Sequence, residues 1–215
     1  IGTAHSRWMI APGPWMPFSM VKVSPDNQND GWQSGYDPTF ESIGAFSHIH
    51  EWTMGGLGML PVNGPLKIKV GDQRAAKGEG YRSAIDKATE EAPLGYYKVN
   101  LTDYNIKAEV TASTRASFMR YTYPKATDSR VMIDLQTPAE NKYKLSEVTL
   151  RKVSDYRIEG VCKQFAPQVW IAQAGSSEQE YVVNFVMEFD QPILKFGSWV
   201  NDDIGTGDLI SIKDA

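Results

Sequence analysis

Between Ile43 and Leu60 the chain reads IGAFSHIHEWTMGGLGML, and His48 to Trp52 carry two imidazoles, a carboxylate and an indole. Two of the chain's three histidines lie here, with Gly55, Gly56 and Gly58 following at once. Glycines in or beside a strand let a second backbone or a ligand come close. In an extended segment His48 and His50 share one face with Phe46, while Ser47, Ile49 and Glu51 share the other. This H-x-H pair has three readings: two imidazoles on one metal ion, two buried histidines holding loops together, or two polar contacts to a ligand. His5 is the only other histidine, and the single cysteine, Cys162, is far away in sequence, so a metal set would stop at two ligands. Trp52 is either a core residue or a stacking platform. A sugar ring over an indole covers on the order of 100 Å² of apolar area, worth roughly 2 kcal/mol. In the company of His50, Glu51 and the glycines, Trp52 reads as part of the wall of a small-molecule site, with a sugar as its ligand.

A second aromatic and acidic cluster precedes it. Asp30–Gly31–Trp32 and Gly35–Tyr36–Asp37 stand in a polar loop rich in turn dipeptides. Hydrolysis of a glycosidic bond needs two carboxyl groups roughly 5–10 Å apart. Glu51 is the only carboxylate in the histidine wall, and spacing gives no reason to bring Asp30 or Asp37 to it. The residues alone therefore display no complete hydrolytic site. Asp202, Asp203 and Asp208 around Gly205 and Gly207 lack the calcium-loop pattern and read as a turn. No P-loop, GxGxxG, G-x-S-x-G or CxxC occurs.

The elements that must position these groups are extended. FSMVKVS (18–24) alternates and offers Phe18, Met20 and Val21 or Val23 to a core, and Ser24–Pro25–Asp26 opens a polar loop. The histidine segment reads as two strands, about 42–50 and 53–61. Residues 83–91, SAIDKATEE, have a short helical pattern. Strands follow at 95–101, 106–113, 116–123, 130–135, 144–153, 155–163, 168–174, 180–189, 194–200 and 209–212, separated by turn signals. Many short strands at 8–12-residue spacing imply an antiparallel sandwich or barrel. EYVVNFVMEF is apolar at nearly every position after Tyr181, which suits a sheet covered on both faces.

Bulk properties narrow the class. The 215 residues carry a net charge of −4, with no basic run to replace a nucleic-acid surface. One cysteine excludes an intramolecular disulfide framework. No apolar run approaches the ~20 residues that span a bilayer. The chain starts at Ile1, which reads as a processed or truncated product, any signal peptide lying outside it.

PFSMVKVSPDN, DGWQSGYDP and GAFSHIHEWTMGGLGMLPVNGP, in that order, resemble the N-terminal domain of glycoside hydrolase family 92, the calcium-dependent exo-α-mannosidases. EEAPLGYYKVNL, EVTASTRASFMRYTYP and EYVVNFVMEFDQPILKFG continue the resemblance. Its most specific parts are F-S-H-x-H at Phe46–His50 and R-x4-R-Y-x-x-P at Arg115–Pro124. The resemblance implies an all-β fold, a large antiparallel two-sheet supersandwich of the galactose-mutarotase-like kind. It implies one domain over residues 1–215 that packs on a C-terminal (α/α)6 barrel outside the chain. The barrel would supply the general acid, the base machinery and most calcium contacts of an inverting α-mannosidase of α-1,2 type. No catalytic residue and no metal ligand is then expected in these residues, and the domain alone should be inactive. Expected sugar contacts to a mannose-containing glycan are Trp52, His50 and Glu51, with His48 shaping the wall and Asp30, Trp32 and Tyr36 of second rank. The setting implied is secreted or periplasmic in a bacterium. The alternative of another class is a stand-alone carbohydrate-binding or interaction module without catalysis.

Overall fold

YYKVNL and IKAEVTA put an apolar residue inward at every second position, and the chain folds accordingly. In the computed structural model, which describes residues 11–27, 35–50, 56–74, 78–125, 128–136, 144–165 and 180–213, these segments are consecutive antiparallel strands. The chain divides into two compact units, residues 1–142 and 143–215. Every regular element among the described residues is a strand, and every pairing between them is antiparallel. The fold is an all-β sandwich.

The first unit holds β1 (Ser24–Asp26), β2 (Ser42–Ile43), β3 (Ala45–Ser47), β4 (Gly58–Val62), β5 (Ser83–Glu91), β6 (Tyr96–Leu101), β7 (Ile106–Ala112), β8 (Ser117–Thr122) and β9 (Arg130–Asp134). They form a four-stranded sheet, β1-β3-β4-β9, and a five-stranded sheet, β2-β5-β6-β7-β8. Tyr97, Val99 and Leu101 of β6 lie opposite Val110, Ala108 and Ile106 of β7, and all six are buried. Phe46 of β3 meets this layer: its ring centroid is 6.1 Å from that of Tyr97 at an interplanar angle of 60°. Such tilted aromatic pairs contribute about 0.5–1.5 kcal/mol beyond the area they bury.

The second unit holds β10 (Lys144–Ser154), β11 (Arg157–Phe165), β12 (Glu180–Glu188), β13 (Gly197–Val200), β14 (Asp203–Thr206) and β15 (Leu209–Lys213). Its main sheet runs β12-β11-β10-β15, and β13 and β14 make a two-stranded ribbon. Val148, Leu150, Ile158, Cys162, Met187 and Ile210 are its buried apolar residues. Gly160 faces Phe185 across β11 and β12, and a Cβ there would lie 2.1 Å from the ring. The aromatic covers the glycine, so neither position tolerates enlargement.

Several expectations need correction. Residues 83–91 are a strand, not a helix. The register jumps from Asp86 opposite Asn100 to Glu91 opposite Lys98, so residues 87–90 bulge out of the ladder. The helix-forming KATE sequence falls in that bulge, where tertiary pairing overrides local propensity. Ser24–Pro25–Asp26 is a buried strand instead of a loop. Phe18 and Met20 are exposed, and within 18–24 the deepest core residue is Val23. β14 occupies the stretch read as a turn around Gly205. Val182 and Val186 of β12 are exposed, so that strand is not covered on both faces. Residues 168–174 lie outside the described residues.

Candidate functional site

Pairing of β1 with β3 sets Asp26 opposite Ala45, beside the start of the histidine segment. β3 ends at Ser47, so His48–His50 leave the ladder, and hydrogen bonds to other elements fix each ring. Asp26 is fully buried. One carboxylate oxygen, Oδ2, accepts the Ser47 N–H at 3.0 Å, and the other, Oδ1, lies 2.8 Å from His50 Nε2. His50 Nδ1 is 2.6 Å from the Lys22 carbonyl. A carbonyl only accepts, so Nδ1 carries a proton, and the buried carboxylate draws a second one onto Nε2. Burial alone would lower the His50 pKa, but the charge and hydrogen bond of Asp26, with the Lys22 carbonyl, raise it above the usual 6.5. His50 is thus an imidazolium paired with a buried carboxylate.

His48, two residues earlier, is the opposite case. Its Nδ1 donates to the Leu57 carbonyl at 2.8 Å, and Nε2 accepts from the Ser117 hydroxyl at 2.7 Å. Burial, and the neighbouring His50, lower its pKa below 6.5 despite the Leu57 carbonyl. It is a neutral imidazole that ties the β3 exit to the β4 entry and to β8 of the facing sheet. All four ring nitrogens of the pair are therefore committed to protein partners. No group of three or more His, Cys, Asp or Glu among the described residues could hold a metal ion.

These two histidines give stability opposite pH dependences. A lowered folded pKa at His48 means the unfolded chain binds more protons just below pH 6.5, so stability falls as the pH drops from there. A raised folded pKa at His50 means its contribution is complete below 6.5 and is lost as the pH rises through its folded value. Urea denaturation across pH 5–9 should give a maximum near neutrality. His48→Gln should flatten the acid limb, and the pair Asp26→Asn/His50→Gln the alkaline limb; an unaltered profile in both variants would refute these protonation states.

Tyr36 stands apart in its bonding. Asn27 N–H donates to Gly35 O at 2.9 Å, which pins both ends of the intervening loop. Asn27 Nδ2 donates to Ser42 O at 2.6 Å, and Arg82 Nη2 donates to Asn27 O at 2.9 Å. Gly35 then passes His50: a Cβ on it would lie 3.9 Å from His50 Cδ2, and its φ of +113° suits glycine. Tyr36 itself turns away. Its hydroxyl donates to Glu90 Oε1 at 2.8 Å, which also accepts the Tyr97 hydroxyl at 2.7 Å. Lys87 reaches Glu90 Oε2 and the Tyr36 hydroxyl, both at 3.0 Å. Burial, with Glu90 alongside, pushes the Tyr36 phenol far up, so it stays neutral. The β5 bulge exists in physical terms to deliver Lys87 and Glu90 to this network.

The structure thus brings His48 and His50 together and sets Gly35 beside them, while the Tyr36 side chain belongs to a neighbouring cluster. Trp52, Glu51, Trp32 and Asp30 lie outside the described residues. Spacing does not single out Asp26, Ser117 or Lys22. Trp15 joins the wall with its ring 6.2 Å from that of His50 and Lys22 Nζ 5.5 Å from its ring centroid. Its buried indole N–H meets no acceptor among the described residues. Nothing local signals these partners, since Asp26 and Ser117 are 24 and 69 residues from the imidazoles they hold.

A family model for the glycosyl hydrolase family 92 N-terminal domain matches residues 1–213. Among solved structures, the family GH92 alpha-mannosidase BT3965 from Bacteroides thetaiotaomicron aligns with 99% of this chain at 24% identity and a TM-score of 0.78. The same enzyme in complex with mannoimidazole aligns over 100% of this chain at 25% identity and a TM-score of 0.75. The inverting mannosidase BT2199 from Bacteroides thetaiotaomicron VPI-5482 aligns over 94% at 16% identity and a TM-score of 0.67. This chain spans 30%, 29% and 25% of those three chains. No curated protein matches.

Proposed function

This chain belongs to the glycosyl hydrolase family 92 N-terminal domain family, and on that premise we propose that residues 1–215 act together as the non-catalytic β domain of an α-mannosidase. It forms one wall of the sugar pocket and packs on a larger catalytic part, an (α/α)6 barrel outside these residues. The observation that best supports this reading is how the wall spends its polar groups. Both histidines are committed to the chain's own atoms, and Asp26, the carboxylate that holds His50, is sealed in an ion pair. A group so held neither gives nor takes a proton in turnover, so the acid and base come from the other part. In an inverting enzyme of α-1,2 type these would be two carboxyl groups about 6.5–9.5 Å apart.

Within this reading Trp52 and Glu51 contact the sugar; His50, expected among those contacts, has both ring nitrogens held by Lys22 and Asp26 and joins His48 as a positioning residue. Asp30, Trp32 and Tyr36 follow in the adjoining loop, although the Tyr36 hydroxyl is already spent on Glu90. Calcium, which the family implies, fits no group of ligands among the described residues. Its ligands belong, in this reading, to the barrel. A bacterial enzyme that acts on mannose-containing glycans outside the cytoplasm would suit the same reading.

Trp52→Ala in the full-length enzyme tests it. Loss of a stacking platform worth roughly 2 kcal/mol lowers kcat/KM for an α-mannoside by about 30-fold. An unchanged kcat/KM would remove Trp52 from the site.

A further inference from the structure

The segment that runs past the histidine wall ends in a turn with an unusual occupant. Ser19 N–H donates to Met16 O at 3.1 Å, which closes a four-residue turn with Pro17 and Phe18 at its centre. Phe18 has φ +58°. Proline at the second position and a positive φ at the third define a type II turn, whose third position takes glycine or asparagine. Phenylalanine there bears backbone strain. Its ring is left uncovered by the described residues, with Phe18 102% exposed. Met20 and Met16 on either side are also exposed, at 73% and 45%. A sequence that needed only the turn would place glycine here and a polar residue beside it. Strain and an uncovered aromatic at one position, flanked by two adaptable methionines, describe a contact surface whose partner is missing.

The wall indicates which partner that is. Lys22 N–H donates to His48 O at 2.9 Å, His50 Nδ1 donates to Lys22 O at 2.6 Å, and Trp15 stacks near His50. Met20 N–H donates to Thr114 O at 2.8 Å, which holds the turn against the β7–β8 connection. The turn is therefore continuous with the wall, on the side where the proposed function needs a second polypeptide to close the sugar pocket. The structural relatives are more than three times as long as this chain, and the proposed function puts the acid and base in that remainder.

We infer that the Met16–Met20 turn is a docking knob, with Phe18 at its tip, for the polypeptide that carries the catalytic acid and base. The inference rests on the proposed α-mannosidase reading. Hydrogen exchange on the full-length enzyme and on residues 1–215 alone tests it, together with Phe18→Asn, which suits the turn but removes the ring. Amides of residues 16, 18, 19 and 20 exchange about tenfold or more slowly in the full-length enzyme than in the shorter chain. Phe18→Asn leaves the unfolding midpoint of residues 1–215 unchanged or higher and lowers that of the full-length enzyme. Equal exchange in both forms, or the same shift of midpoint in both, overturns the docking role. A full-length enzyme that hydrolyses α-mannosides yet leaves the turn unprotected refutes the knob alone. One without that activity refutes the underlying reading.

Discussion

Asp26→Ala should destabilise the chain by about 3–5 kcal/mol, the range for removing one partner of a buried ion pair. The carboxylate is fully buried and carries three loads. It neutralises His50, it accepts the Ser47 N–H, and through both it fixes the exit of β3. Alanine leaves the imidazolium without its counter-ion and the buried Ser47 N–H without its acceptor. His50 then gives up its second proton, which limits the loss but does not restore the Ser47 bond. A domain of this size has only about 5–15 kcal/mol to lose. Asp26→Asn keeps an acceptor for Ser47 and should cost less. The double variant Asp26→Ala/His50→Ala should cost less than the sum of the single changes, since neither charge is then stranded. Urea denaturation of the wild type, Asp26→Ala, Asp26→Asn, His50→Ala and the double variant checks this; additive losses would mean the two groups are not coupled.

Phe46→Ala should cost about 3–5 kcal/mol, the usual range for truncating a buried phenylalanine. Phe46 is fully buried at the centre of the first unit and packs against Tyr97 of the facing sheet. Tyr97 in turn donates to Glu90, which accepts from Tyr36. The cavity therefore opens beneath both the histidine exit and the Tyr36 cluster. Phe46→Leu fills most of the space and should recover a large part of the loss. Near-wild-type stability for Phe46→Ala would mean that the two sheets are held mainly elsewhere.

Period-two patterning made most strands legible, because every second residue of β6 and β7 is inward and apolar. It failed where another term outweighed it. The β5 sequence is locally helical and is overridden by pairing with β6. Phe18 and Met20 are apolar and alternate, yet the turn at Pro17 throws them outward. Asp26 is polar and looks like loop, yet it is buried because His50 and the Ser47 N–H need a buried acceptor. At the site, residue types located the histidine pair, but not its chemistry. One ring is cationic and the other neutral, and that difference comes from Asp26 beside His50 and from the burial of His48, both of which arise only through folding.

The most direct measurement of the central claim is hydrolysis of an aryl α-mannoside, with calcium present, by residues 1–215 and by the full-length polypeptide. The account predicts turnover by the full-length enzyme alone and none above the uncatalysed rate by the shorter chain. Turnover by residues 1–215 would place an acid and a base within this domain and contradict the account.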